Sequence, residues 1–334
     1  MARMDGRTVF EWTNETGVID MFLFNTEDYE CNSKVMVELS GKPPLPLETS
    51  LGYNQCRWNY HTQEELLEVN ALLTEHKIPT DFLWLDIEYS DSKMYFTFDK
   101  KAFPEPEQML NALVESDRQL VTIVDPHCKH TAPVKADTSE DAQVNEIDAS
   151  NKTEEAPNNK SSEQIEKSVE EVEPEKVHYL TTEAIEKELV VRNKDEELFV
   201  GDCWPGASVY IDFFNHRAQE FFGSQYLKKE HIQSNPHVHI WNDMNEPAVF
   251  VNQFEKTMPK NSIHVVSHYV STESSDLIVD NFEHRDVHNL YGILMAKSSY
   301  EGLIKRDICL NGETRKLRSF LLSRSFYFGS QKFC

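Results

Sequence analysis

A chain of 334 residues with 39% hydrophobic residues, 19 Phe, 12 Tyr and 5 Trp can pack one large domain, or one and part of another, around an aromatic-lined cleft. Its formal charge of −24 repels a phosphate backbone and an anionic lipid surface alike, so nucleic acid and membrane are excluded as partners. No apolar run approaches the roughly 18 residues that span a bilayer, and the opening residues 1–6 lack the apolar stretch of a secretory leader.

Residues 8–12 and 18–24 alternate apolar and polar side chains, which predicts two strands joined by a turn at 14–17. Pro43, Pro44 and Pro46 then make a stiff, extended connector. From Ser50 onward strand and helix signals alternate, the mark of an α/β architecture. Residues 63–73 have helical spacing with Thr62 placed as N-cap, and 80–85 form a buried strand ending at Asp86. A helix over 106–115 and a strand over 120–124 follow, and 237–240 is a strand running into W-N-D-M-N-E-P at 241–247. Each strand ends in polar residues: Asp86 and Glu88, then Asp125 and His127, then Asp243, Asn245 and Glu246. The C-terminal face of a (β/α)8 barrel reads this way in sequence.

Two segments interrupt that pattern. Residues 131–176 hold thirteen Asp and Glu against five Lys, with no aromatic residue and no Gly. Such a stretch buries too little apolar surface to offset its ordering entropy. It is expected to be a disordered acidic insertion in a barrel loop, with a short helix around 163–171, and partner docking is its functional alternative. Residues 261–280 are expected to form a smaller variable loop. The six cysteines are widely scattered without a C-x-x-C pair, which gives no zinc site and leaves free thiols or one long-range disulfide open. Sequons at Asn14, Asn151 and Asn159 matter only for a secreted chain. His284-Arg285-Asp286 lacks the glycine-rich loop and D-F-G of a kinase. His231, His237 and His239 lack the spacing of metal ligands.

The W-N-D-M-N-E-P string resembles the nucleophile motif of the glycoside hydrolase family 31 α-glucosidases. Six further segments match that family in the same order. They are S-L-G-Y-N-Q-C-R-W-N-Y from Ser50, L-W-L-D-I-E-Y from Leu83 and V-T-I-V-D-P-H from Val121. C-W-P-G from Cys203, E-H-R-D-V-H-N-L-Y-G from Glu283 and S-F-L-L-S-R-S-F from Ser319 complete the series. The G-Y-x-Q-C-R-W-N-Y form is most like the glucosidase II α-subunit branch of the family. The resemblance implies a partial TIM barrel over 47–334, preceded by the tail of an N-terminal β-sandwich and its linker over 1–46.

The family chemistry maps onto specific residues. Asp243 is expected to be the nucleophile of a retaining mechanism, in which one carboxylate attacks the anomeric carbon and a second carboxyl protonates the leaving oxygen. Glu246 supports that turn, where a purely structural role is equally compatible, and Met244 offers an apolar wall to the sugar. Asp86 is expected to chelate sugar hydroxyls, against the plainer reading of a strand-end Asp capping its loop. Arg324 matches an arginine that contacts the sugar and orients the nucleophile, a task suited to a guanidinium fork. Trp204, Trp241 and Trp84 offer flat faces to sugar C–H groups, although tryptophan is most often plain core. Asp125 and His127 stand behind these residues, and Glu88 is read as structural. No metal or cofactor is implied.

Departures from the family pattern set the remaining expectations. Its general acid/base is an aspartate in a W-x-G-D-N motif, and no W-x-G-D occurs in this sequence. The acid/base is therefore expected to lie outside the chain, with about five of eight barrel strands encoded. Loss of a general acid costs on the order of 10²–10⁴ in rate, so the chain is expected to be nearly inactive alone. The resemblance implies an exo-α-glucosidase that trims α-1,3-linked glucose from N-glycans in the endoplasmic reticulum lumen, with the glucosidase II β subunit as partner. A neutral α-glucosidase acting on oligosaccharides is the alternative within the class, and a noncatalytic sugar- or partner-binding product the alternative outside it.

Overall fold

The computed structural model describes residues 2–4, 7–9, 11–13, 16, 21–131, 176–250, 257–269, 277–311 and 318–334. The acidic insertion predicted over 131–176 falls almost entirely outside them, as does most of the predicted turn at 14–17. An antiparallel pair, β1 (Ala2–Met4) and β2 (Arg7–Val9), comes first, followed by helix α1 (Tyr29–Ser40). Strand β3 (Asn54–Gln55), helix α2 (Gln63–Glu75), β4 (Phe82–Leu85), helix α3 (Pro106–Glu115) and β5 (Gln119–Val124) begin the α/β region. Next are β6 (His127–Lys129), α4 (Tyr179–Glu186), β7 (Gly201–Cys203), β8 (Gly206–Tyr210) and α5 (His216–Ser224). The series ends with β9 (Val238–Asn242), β10 (Ile263–Tyr269), β11 (Leu277–Glu283), α6 (His284–Val287), α7 (Tyr291–Asn311) and β12 (Leu321–Ser323).

Five strands form one sheet in the order β12-β9-β5-β4-β3, with every neighbouring pair parallel. This is the curled, partial (β/α)8 barrel that the alternation of elements predicts. Strands β4 and β5 are buried almost throughout, as parallel strands covered on both faces must be. One face carries Leu83, Leu85, Leu120 and Ile240 into the main core with Leu66, Met109 and Leu113 of the flanking helices. The other face carries Phe82, Trp84 and Val121, against which Trp241 and Phe320 pack. Those rings interlock: Phe82 stacks on Phe320 at 5.5 Å between centroids, and Trp84 meets Trp241 edge-on at 5.8 Å.

The period of two along a strand positions the chemistry. The inner-face series Phe82-Trp84, Val121-Ile123, His239-Trp241 and Phe320-Leu322 each continue, two residues on, to Asp86, Asp125, Asp243 and Arg324. Four charged groups thus arrive at one mouth because each follows an inward-facing pair of the same parity, apolar in three strands and His239-Trp241 in the fourth.

Helices α5 and α7 cross where neither has a side chain to separate the backbones. A Cβ on Gly302 would stand 2.4 Å from the Gly223 carbonyl oxygen, and one on Gly223 would stand 2.9 Å from that of Ser298. The three-stranded antiparallel sheet β6-β8-β7 is built from the segment that follows β5. Its strand β6 meets helix α4 where Thr181 Oγ1 donates to the Lys129 carbonyl at 2.7 Å, and Lys176 Nζ pairs with Asp91, in the segment after β4, at 2.8 Å.

Two sequence expectations are corrected. Residues 21–24, predicted as strand, form none, and Met21, Phe22 and Leu23 are all exposed. Alternation yields a strand only where a neighbour supplies a ladder and a face to bury. Helix α1 instead starts beyond this run at Asp28, whose Oδ1 accepts the Cys31 N–H at 2.8 Å. Residues 261–280, predicted as a loop, supply β10 and part of β11, antiparallel strands paired from Ile263–Glu283 to Tyr269–Leu277. Among the described residues Cys31, Cys56, Cys128, Cys203 and Cys334 are free thiols, and no helix is long and apolar enough to cross a membrane.

Helix α2 begins as its sequence predicts. Thr62 Oγ1 accepts the Glu65 N–H at 3.2 Å, and Glu65 Oε2 reaches back to the His61 N–H at 2.8 Å, a reciprocal arrangement close to a capping box. Thr62→Ala is expected to lower the unfolding free energy by about 1 kcal/mol, measured by urea denaturation of the chain.

Candidate active site

The turn after β9 is shaped by Met244, which adopts a left-handed backbone with φ of 56°. That conformation costs a non-glycine residue on the order of 1–3 kcal/mol. It is held by an Ala248 N–H bond to the Met244 carbonyl at 2.9 Å and by burial of the side chain against Cys203 and Ala248. The turn leaves Asp243, Asn245 and Glu246 to face β12. Asn245 is fully buried and ties the two strand ends together. Its Nδ2 donates to Ser323 Oγ at 2.8 Å, and its Oδ1 accepts the Ser325 N–H at 3.0 Å.

Arg324 joins the groups of the turn. Its Nε and Nη2 donate to the two oxygens of Glu246 at 2.8 and 2.7 Å, a two-point fork. Nη1 donates to Asp243 Oδ2 at 3.3 Å, Nε lies 3.2 Å from Asp243 Oδ1, and Nη2 stands 3.1 Å from the Met244 sulfur. Glu246 therefore works chiefly as the anchor of the guanidinium, which in turn faces Asp243.

Burial raises the pKa of Asp243 above the usual carboxylate range, and the charge of Arg324 works against that rise. Asp86 is raised too, by burial first and then by the charges of Glu88 and Asp243, while the Ile87 N–H donated to its Oδ1 at 2.7 Å lowers it. Behind them Asp125 is fully enclosed, and burial pushes its carboxyl well above the usual range. Tyr95 Oη donates to Asp125 Oδ2. Burial drives the His127 pKa down to about 3, so its imidazole stands neutral 3.7 Å from Asp125. Burial thus raises the pKa of all three carboxyl groups, and the charge of Arg324 opposes that rise at Asp243 and Asp125.

An open cleft of about 380 Å³ lies at this mouth, lined by Asn54, Cys56, Trp84, Trp241, Asp243, Leu322 and Arg324. Of the residues singled out in sequence, the fold brings Asp243, Arg324, Trp241 and Trp84 to the lining. Asp86 stands just behind it, close enough for its charge to raise the Cys56 pKa after burial has done so. Met244 and Glu246 border the cleft through Arg324. Trp204 is not among the lining residues: its ring, 44% exposed, packs edge-on against Phe250 at 4.9 Å. Glu88 accepts the Trp58 indole N–H at 3.2 Å, a structural bond.

Asn54, Cys56 and Leu322 were not assigned a role from sequence. The parity rule that selects Arg324 also selects Leu322, and the strand ends of β3 were readable in the same way. The histidines set aside as metal ligands separate in space. His231 bonds Tyr179 Oη and the Gln225 carbonyl, both at 2.8 Å, whereas His239 accepts the Phe320 N–H at 3.0 Å.

Residues 43–334 match the family described as glycosyl hydrolases family 31 TIM-barrel domain. Neutral alpha-glucosidase C of Macaca fascicularis is 35% identical over 99% of this chain and 35% of its own length. Glucosidase 2 subunit alpha of Schizosaccharomyces pombe is 35% identical over 97% of the chain and 28% of its own length. The chain thus spans about a third or less of these relatives. An alpha3-Glc2-bound crystal structure of glucosidase II alpha subunit superposes with a TM-score of 0.65 at 33% identity, over 89% of this chain and 25% of that one. The catalytic subunit in an ER glucosidase II heterodimer, solved with the binding domain of the regulatory subunit, gives 0.65 at 33% identity over 90% and 26%.

Asn245→Ala would leave the Ser325 N–H without its acceptor and remove the donor to Ser323 Oγ, which keeps its own bond to the Ser325 carbonyl at 2.7 Å. A loss of about 1–3 kcal/mol in unfolding free energy is expected, checked by denaturant titration against the unsubstituted chain.

Proposed function

The chain belongs to glycosyl hydrolase family 31, and from that premise we propose that its protein is a retaining exo-α-glucosidase with Asp243 as nucleophile. The observation that carries this reading is the pairing of Asp243 with Arg324 at the mouth of a cleft walled by Trp84 and Trp241. The guanidinium opposes the effect of burial on Asp243 and so favours the carboxylate form that can attack an anomeric carbon. Trp84 and Trp241 supply apolar faces for the sugar ring, Met244 a wall beside the reacting carbon, and Asp86 a carboxylate for its hydroxyls. Trp204 is retained only as an outer contact.

The finer reading is trimming of α-1,3-linked glucose from N-glycans in the endoplasmic reticulum lumen, with a glucosidase II β subunit as partner. The likeness to glucosidase 2 subunit alpha, to the alpha3-Glc2-bound structure and to the heterodimer supports it. The similarity to neutral alpha-glucosidase C favours oligosaccharides as the second reading.

Among the described residues that line the cleft, Asp243 is the one carboxyl. A retaining pair needs two carboxyl groups about 5–5.5 Å apart across the glycosidic bond. We therefore propose that the 334-residue chain is nearly inactive by itself. Hydrolysis of p-nitrophenyl-α-D-glucoside by this chain, and by a form extended through the W-x-G-D-N segment of a relative, tests both claims. Activity is expected only in the extended form and is lost with Asp243→Ala. Activity of the short form would place the acid/base within it.

Arg324 also sets a pH dependence. Its charge lowers the pKa of Asp243 against the effect of burial, so Arg324→Met lets that pKa rise further. Activity requires the ionised form and is lost as pH falls through the pKa. The acid limb of kcat/KM in the extended form should therefore move to higher pH, with a fall in rate on the order of 10²–10³.

A further inference from the structure

Strand β12 is joined to the sheet at its start by a side chain rather than by the ladder. It pairs in parallel with β9, Leu321 against Ile240, and the Ile240 N–H donates to the Phe320 carbonyl at 3.2 Å. In a parallel ladder the rung before that one runs from the Phe320 N–H to the Val238 carbonyl. Here the Val238 carbonyl receives Arg306 Nη1 at 2.8 Å. Arg306 reaches it from the buried side of α7, and also donates to the Gln233 carbonyl at 2.8 Å and to Ser319 Oγ at 2.9 Å. The Phe320 N–H turns instead to Nδ1 of His239, at 3.0 Å. One imidazole thus stands in for a rung.

The proton on that ring is placed by its neighbours. A backbone N–H can only donate, so Nδ1 is bare and the ring carries its proton on Nε2. The other end agrees, because Nε2 meets Gln119 Oε1, an oxygen that can only accept. Burial, then the charges of Arg306 and His237, push the His239 pKa down to about 3, so the ring is neutral at physiological pH and keeps its lone pair for Phe320. The ring is buried and lies edge-on to Phe82 at 5.1 Å, so packing holds it in place as well.

Strand β12 is only three residues long, Leu321–Ser323. The His239 bond precedes it, and the Arg324 N–H bond to the Asn242 carbonyl follows it at 3.0 Å. We infer that His239 is a positioning residue: its bare Nδ1 sets the register of β12 on β9, and with it the place of Arg324 opposite Asp243. Because Arg306 occupies the ladder carbonyl, loss of the imidazole acceptor leaves the Phe320 N–H without a partner in β9. A strand of three residues then has few bonds to hold its phase. The catalytic meaning of the alignment rests on the function proposed above, whereas the register bond does not.

Nitrogen-15 NMR of the 334-residue chain reads that bond without any hydrolysis. An Nε2–H tautomer at His239 is expected, with a scalar coupling between the Phe320 amide nitrogen and Nδ1 across the hydrogen bond. An Nδ1–H tautomer, or no coupling, overturns the bond. Two substitutions separate the two ring nitrogens. His239→Asn keeps an acceptor oxygen where Nδ1 stood and gives up Gln119, whereas His239→Gln keeps a donor for Gln119 and gives up the acceptor. Hydrogen exchange at the Arg324 backbone N–H should quicken with Gln and stay unchanged with Asn. Equal exchange in the two variants refutes the positioning role, whether or not an extended form hydrolyses glucosides. If the Gln form does not fold, the Asn form decides alone, and faster exchange there than in the unsubstituted chain refutes the role. In the extended form, Gln should lower kcat on the order of 10² with KM little changed, and move the acid limb of kcat/KM to higher pH, with Asn restoring both. Quickened exchange without that movement refutes the effect on Asp243.

Discussion

The pairing of β12 with β9 is the constraint on which the site depends. Leu321 is in register with Ile240, and the Arg324 N–H donates to the Asn242 carbonyl at 3.0 Å, which brings the guanidinium level with Asp243. Without that register the three carboxyl groups Asp86, Asp125 and Asp243 would share one mouth with no counter-charge facing them. Mutual repulsion and burial would then favour their neutral forms. The cation opposes that shift at Asp243, and Glu246 fixes the cation. The ion pair, the buried Asn245 tie and the left-handed Met244 all preserve that single alignment of two strand ends.

Below the charges the inner face is aromatic. Phe82, Trp84, Trp241 and Phe320 form an interlocked layer that fills the space between strands and excludes water from beneath the carboxylates. The layer serves both stability and chemistry. It supplies packed apolar area, and it lowers the local polarity so that the Arg324 charge acts strongly on Asp243. Trp241 and Trp84 belong to both the core and the cleft, which is why a reading of tryptophan as either core or sugar platform fits them equally well.

Much of this was legible in the sequence because barrel strands carry strong local signals. The cap at Thr62, the proline that starts α3 and the apolar run of β5 specify their elements with little help from distant contacts. The charged residues at 86, 125, 243 and 324 each follow a same-parity inward-facing pair, so their convergence could be read before any contact was known. Other features depend on partners far away in sequence. Residues 21–24 alternate without a ladder to join, whereas β10 forms because β11 supplies one. Trp204 sits in a polar loop that reads like a cleft wall, yet its ring finds Phe250 instead. The contacts that join Asp212 and His264 to His284 and His288 were the least legible part: the last two share the E-H-R-D-V-H-N-L-Y-G segment, but the first two reach them only through tertiary packing.

The two-residue period of the inner face also limits which changes of chain length the fold can absorb. One residue added or removed inside β12 would turn Arg324 to the outer side of the sheet and bring Leu321 or Ser323 parity to the mouth. Two residues would restore the face but displace the guanidinium along the strand by about 6.6 Å, beyond the reach of an ion pair with Asp243. The strands that end in 86, 125, 243 and 324 are therefore closed to insertions and deletions. The connection between β6 and α4 is not, because length added there leaves every strand parity intact. Variation in this family's barrel should accumulate as loops of changing length strung between strands of invariant phase.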